Sequence, residues 1–172
     1  VSPRGERTGS VIVVVGAMTA ILALTGCSGE NPTRSGANTT VSTTEARQSV
    51  QDIVDRSTTS LDGDWQVYSG PSVEQCTKGN GDDGAAYSSI TALEGPHGDP
   101  AQDVAVVKKL WEGAGITTKP YKSGGADPLL GLRGVGGPTT SISFLAGEQR
   151  YTITAVSECA DGNALQMQGN GE

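Results

Sequence analysis

The apolar positions of this chain change rhythm along its length. Val11 to Leu24 is an unbroken uncharged run, residues 28–41 hold one branched apolar residue, Val41, and helical and strand periods follow from Ser42 onward. Ser42-Thr43-Thr44-Glu45 places a hydroxyl three residues ahead of a carboxylate, the capping-box signature of a helix start. Behind it Ala46, Val50, Ile53, Val54, Ser57 and Leu61 fall on one face at helical spacing, opposite Arg47, Gln48, Gln51, Asp52 and Asp55. A membrane-surface helix would carry Lys and Arg along its polar face, so this one is expected to pack on a sheet. Trp65 to Ser69 alternates and predicts a first strand stopped by Gly70-Pro71, and Ala85 to Leu93 predicts a second, with Tyr87 and Ser89 on one face.

A second helix starts at Asp99, with Pro100 at its first position and Gln102 completing a capping box. Val104, Val107, Leu110, Trp111 and Ala114 form its apolar stripe, and Gly113 or Gly115 ends it. Thr117 to Tyr121 reads as extended, with Pro120 pushing it to a sheet edge. Leu129 to Leu132 is a short apolar run, followed by the glycine-rich stretch Gly131 to Gly137, which reads as a connection rather than a mobile binding loop. Thr140 to Ala146 and Tyr151 to Ser157 alternate cleanly around Gly147-Glu148-Gln149, the clearest hairpin in the chain. Asp161 to Glu172 reads as a polar tail, with Leu165 and Met167 in a last short extended piece. The order predicts an α+β domain over residues 42–172, two helices packed on one face of a mostly antiparallel sheet.

The N-terminal pattern changes the picture. Arg4 and Arg7 precede the 14-residue apolar run, which is shorter than the about 20 residues a membrane-spanning helix needs. It suits the about 7–15 residues of a signal-peptide core, so a cleaved signal is favoured over an uncleaved anchor. The run ends in Leu24-Thr25-Gly26-Cys27, an aliphatic residue, two small residues and cysteine, which resembles the lipobox of bacterial lipoproteins. The resemblance implies removal of residues 1–26 and lipid attachment at Cys27, anchoring the protein on the outer face of the cell membrane. Residues 27–41 would then be the lipidated cysteine and a polar tether. Too poor in apolar residues to order itself, the tether would span roughly 20 Å as a flexible coil.

Charge and cysteine content add two constraints. The net charge is −7 and the positive residues are scattered, so there is no electrostatic footprint for nucleic acid. With two Trp, four Tyr and one Phe, the core must rest on aliphatic residues and gains from a covalent staple. Once Cys27 is assigned to the lipid, Cys76 and Cys159 are the pair left, and in an exported protein they read as a disulfide. A zinc or redox pair would need further ligands or a C-x-x-C spacing, and neither is present.

No motif downstream specifies a reaction. Gly79-Asn80-Gly81-Asp82-Asp83-Gly84 matches G-x-G-x-x-G, but it follows a cysteine, opens no helix and carries two carboxylates that would repel a phosphate. A calcium loop on Asp82 and Asp83 lacks the acidic residue that closes such loops. His97, the single histidine, stands in a Pro/Gly turn and reads as solvated; no G-x-S-x-G elbow offers it a nucleophile. Trp65 and Trp111 lie on apolar faces, where packing is the ordinary role. No catalytic residue, metal or cofactor is assigned.

The positions Trp65, Cys76, Trp111, Gly115, Ser157, Glu158 and Cys159, spread over residues 44–160, resemble small actinobacterial lipoproteins of the LppA type. The resemblance implies an envelope lipoprotein of undetermined activity and brings no catalytic residues with it. The expectation is a non-catalytic binding or interaction module, held by membrane lipid through Cys27 and facing an envelope protein or cell-wall ligand. Two alternatives stay open: an inhibitor-like domain presenting a sheet face rich in Tyr68, Tyr87 or Tyr151 to an envelope enzyme, and an enzyme whose site is assembled from distant loops.

Overall fold

The computed structural model of the protein describes residues 40–95 and 97–171. The segment 1–26, Cys27 and most of the expected tether lie outside the described residues. Helix α1 spans Thr43–Thr59 and its start follows the sequence: Ser42 Oγ accepts from Glu45 N at 3.2 Å while Glu45 Oε2 accepts from Ser42 N at 3.0 Å. Each side chain thus satisfies an amide that the first helical turn leaves without a partner. The Ser42 hydroxyl, which donates to Glu45 Oε2 at 2.7 Å, and after it the Ser42 amide hold the Glu45 carboxyl below the ordinary glutamate range. The face with Ala46, Val50, Ile53, Val54 and Ser57 is buried. Helix α2 spans Pro100–Gly113; Val107 and Trp111 are buried, and Val104, Leu110 and Ala114 pack at the margin of the core. At its start Asp99 accepts from Ala101 N at 2.8 Å. Gln102 reaches only the Asp99 side chain, at 3.4 Å, so the expected capping box is half formed.

Six strands form one antiparallel sheet: β1 (Gln66–Thr77), β2 (Asp83–Glu94), β3 (Thr117–Ser123), β4 (Leu129–Gly136), β5 (Thr139–Ala146) and β6 (Arg150–Ser157), in the order β1-β2-β6-β5-β4-β3. Helix α1 lies on β2 and β6, and α2 lies on β3, β4 and β5. Between helices and sheet sits the core, with Trp111, Phe144, Tyr151, Ile53, Ile142 and Ile153 among its largest side chains. Trp111 Nε1 donates to Ser57 Oγ at 2.8 Å, and Ser57 Oγ donates to Ile53 O at 2.6 Å, so one buried hydroxyl joins α2 to α1. Burying the indole without that acceptor would leave an unpaired donor in a dry core. The α+β architecture expected from the sequence is the one observed.

Three elements depart from expectation. β1 does not stop at Gly70-Pro71 but runs on to Thr77, bulging between Val67 and Ser72 with a cis bond before Pro71. As an edge strand β1 has one side without a partner strand, where a missing amide costs no sheet bond, and the bulge is taken up as a local break in its pairing with β2. Gly131 to Gly136 belongs to β4 rather than to a connection. A Cβ at Gly134 would stand 2.5 Å from Ile116, 2.8 Å from Ile142 and 3.3 Å from Trp111, so its bare backbone makes room for the two isoleucines, with Trp111 close beside them. The C-terminal segment forms a short helix, α3 (Ala164–Gly169), instead of an extended piece; Asn163 caps it and Ala164 is buried.

Candidate binding site

The sheet has two ends of different character. At the near end, where the described chain begins, the main chain of Val41 accepts from Asp161 N at 3.1 Å and Ser42 bridges Asp161. Cys76, at the close of β1, is joined to Cys159, as expected. Ala85 and Ala160 exchange main-chain bonds of 3.0 and 2.9 Å beside it. Lys78 Nζ reaches Asp161 Oδ1 at 2.7 Å, and that carboxylate raises the ammonium above the ordinary lysine range. A polar hollow of about 360 Å³ is lined here by Thr40, Lys78, Asn80, Glu158 and Asp161. The six-residue glycine motif is spent on a tight turn, Lys78 N to Asp82 O at 2.8 Å, and on the start of β2; no helix opens from it.

At the far end β2, β4, β5 and β6 meet the N-terminus of α2. Here a cleft of about 600 Å³ opens between the first turn of α2, the segment entering β4 and the β5–β6 turn. That volume lies within the range of ordinary ligand pockets. Its apolar lining comes from Pro128, Leu129, Leu130, Leu145 and Ala146. Leu129 remains 38% exposed. The side chain of Leu129 lies where a Cβ on Gly147 would be, 2.4 Å away, so the glycine of the turn shapes the cleft floor. The charged lining is Asp99, Asp127, Glu148 and Arg150. Arg150 is engaged: it pairs with Glu94 at 3.0 Å and lies 5.2 Å over the Tyr68 ring. Asp99 is engaged as the helix cap. Asp127 and Glu148 make no side-chain hydrogen bond or ion pair among the described residues. A second hollow of about 370 Å³, between Val104, Pro120, Tyr121 and Lys122, shares Ala101 and Leu130 with the cleft.

Next to the cleft the sequence reading of His97 fails. The imidazole is half-buried, with its ring 5.0 Å from that of Tyr151. Nε2 is buried without a hydrogen-bond partner among the described residues. Tyr151 in turn sets its ring edge-on to Phe144 at 5.4 Å and donates its hydroxyl to Asp103 Oδ2 at 2.6 Å. Burial first, and the Asp103 carboxylate second, push the Tyr151 hydroxyl well above the ordinary tyrosine value. The arrangement holds α2 to β6 at this end of the molecule. Among the described residues no group of three or more His, Cys, Asp and Glu side chains is placed to hold a metal ion.

The sheet face turned away from the helices is of another kind. The strand register puts Ser88, Ile90, Thr154, Val156 and Ser143 there, alternating with the buried residues of the core face. Tyr68 is 69% exposed, but Tyr87 and Tyr151 are 2% and 1% exposed on the helix-covered side. An aromatic sheet face of the kind expected for an inhibitor-like domain is therefore reduced to one of its three tyrosines. Arg133 lies 4.4 Å over the ring of Tyr121 on the β3–β4 hairpin.

Sequence reasoning identified the covalent pair and missed the cleft. The usable signal was Leu129-Leu130 after Pro128: in a strand, successive side chains point to opposite faces, so one of the two must look away from the core. Asp127, Glu148 and the Asp103–Tyr151 contact carried no local signature, because each depends on residues distant in the chain.

No family model matches the chain, and no curated protein matches it. Among solved structures it is similar to the crystal structure of a DUF4853 family protein from Actinomyces odontolyticus ATCC 17982 at 2.65 Å resolution. The TM-score is 0.49 at 16% identity, over 72% of this chain and 67% of that chain.

Proposed function

We propose that this protein is an envelope lipoprotein, anchored by lipid on Cys27 to the outer face of the cell membrane, with a domain that binds a partner rather than catalysing a reaction. The observation that carries the binding part is the placement of the apolar cleft at the end of the sheet opposite to Val41 and Ser42. A strand of eight residues such as β6 extends roughly 25 Å. A lipid at Cys27 would attach the domain through its near end, which leaves the cleft at the end away from the attachment and free to meet a partner. The Leu24-Thr25-Gly26-Cys27 pattern and the resemblance to LppA-type lipoproteins support the anchoring part. The disulfide suits an oxidising compartment outside the cytoplasm.

The test uses the full chain in a bacterial host fed an alkyne-bearing fatty acid, with a photo-crosslinking amino acid placed at Glu148 or, separately, at Gly79. Wild type is expected to take up the label and stay with the membrane, and Cys27→Ala to remain unlabelled and uncleaved. Equal labelling of the two would overturn the anchor. Crosslinked partners are expected from position 148 and not from position 79; the reverse would overturn the cleft as the place where a partner is met.

A further inference from the structure

The far-end cleft pairs an apolar seat with unneutralised negative charge, and the two together restrict what can occupy it. Leu129, Leu130 and Leu145 offer a seat for an apolar side chain. Asp127 and Glu148 stand among its lining residues without a partner cation among the described residues, and the one arginine there is already committed to Glu94. The positive end of the α2 dipole does not offset them, because Asp99 caps that helix and Asp103 stands in its first turn. An anionic or purely apolar occupant would leave those carboxylates uncompensated as water is displaced, which is costly. A cation next to an apolar group would meet both demands. The second hollow shares Ala101 and Leu130 with the cleft, so an occupant reaching past these two residues would meet both hollows, which an extended chain can do and a compact small molecule cannot.

Resting on the reading of this cleft as the binding site, we infer that its occupant is an extended peptide segment with an apolar side chain flanked by lysine or arginine. The apolar side chain sits against Leu129, Leu130 and Leu145, and the cationic group lies toward Asp127 and Glu148. Part of the attraction acts at the solvent boundary and is screened as salt rises.

The full-length protein in detergent micelles is titrated with short blocked peptides in which one leucine is flanked by lysine, by glutamine or by glutamate. Lysine-flanked peptides are expected to bind about tenfold tighter than glutamine-flanked ones at low salt, with the advantage shrinking once the screening length falls toward about 3 Å in molar salt. The double variant Asp127→Asn/Glu148→Gln should lose most of that advantage while still binding the glutamine-flanked peptide. Leu129→Ser, at a partly exposed position, should weaken all three peptides alike. Equal affinity across the three peptides, or an undiminished preference in the double variant, overturns the inference. So does displacement of the lysine-flanked peptide by hexylamine at matching concentration, since a small amine would then suffice. Absence of binding at about 1 mM peptide also overturns it. If position 148 still crosslinks a partner in that case, only the ligand class falls; if it does not, the cleft reading falls too.

Discussion

The near and far ends of the sheet are built from the same strands and held together by different means. At the near end, long-range ties accumulate on a few residues: the Cys76–Cys159 bridge, the Ala85–Ala160 pair, and Asp161 meeting both Val41 and Lys78. At the far end a part-buried bond, Tyr151 to Asp103, joins helix to sheet near the local Arg150–Glu94 pair, and leucines with the carboxylates of Asp127 and Glu148 surround a cleft. Crosslinks concentrated at one end let the other keep apolar surface and unneutralised charge, which a binding site needs and a stable core does not. The division teaches that stability and recognition are separated along the strand direction here, not between domains.

Breaking the near end should have the largest effect. The bridge closes a sequence separation of 83 residues. Replacing both cysteines, Cys76→Ala with Cys159→Ala, should cost about 4 kcal/mol in denaturant unfolding, the loop-closure value for a span of this size. A loss below about 1 kcal/mol would mean that the near end does not depend on its staple.

The helix–helix seam comes next. Ser57→Ala removes the acceptor for the Trp111 indole and leaves its N–H buried and unpaired, with an expected loss of about 2 kcal/mol. Near-neutral behaviour in equilibrium unfolding would show that the seam is held by packing alone.

The smallest effect is expected at the far end. Tyr151→Phe keeps the ring against Phe144 and His97 and deletes only the bond to Asp103, for about 1 kcal/mol at neutral pH. The pH dependence sharpens this. The hydroxyl titrates higher in the folded protein than in the unfolded chain. Its contribution is thus fully present below the unfolded tyrosine value of about 10 and declines as pH rises beyond it toward the raised folded value. Wild type should lose stability above that pH more steeply than Tyr151→Phe, measured as the denaturation midpoint against pH. Parallel curves would place the Asp103 contact outside the forces that close this end.

Much of the architecture was legible in advance where the deciding interactions are local. Ser42 and Glu45 announce α1 because a capping box lies within four residues. The β5–β6 hairpin shows in strict alternation about a turn, and the disulfide follows from having two cysteines left in the domain. The continuation of β1 past Gly70-Pro71 was not legible. Whether a strand tolerates proline depends on whether it lies at a sheet edge, and strand order is a property of the whole sheet. His97 misled for a similar reason: a Pro/Gly turn looks solvated until Tyr151, more than fifty residues on, is placed beside it.

By itself the sequence determined the two long helices, most of the strands, the α+β class, the covalent pair, and the lipobox-like pattern at Cys27 that awaits its labelling test. Each is written in spacings of a few residues or in residue counts. Only the tertiary structure decided that Gly134 yields to Ile116 and Ile142 and that Tyr151 reaches Asp103. It also decided that Asp127, Leu129, Leu145 and Glu148 surround one cleft. Those facts come from strand order and register, which bring together residues that share no local pattern, and the cleft is a product of that convergence.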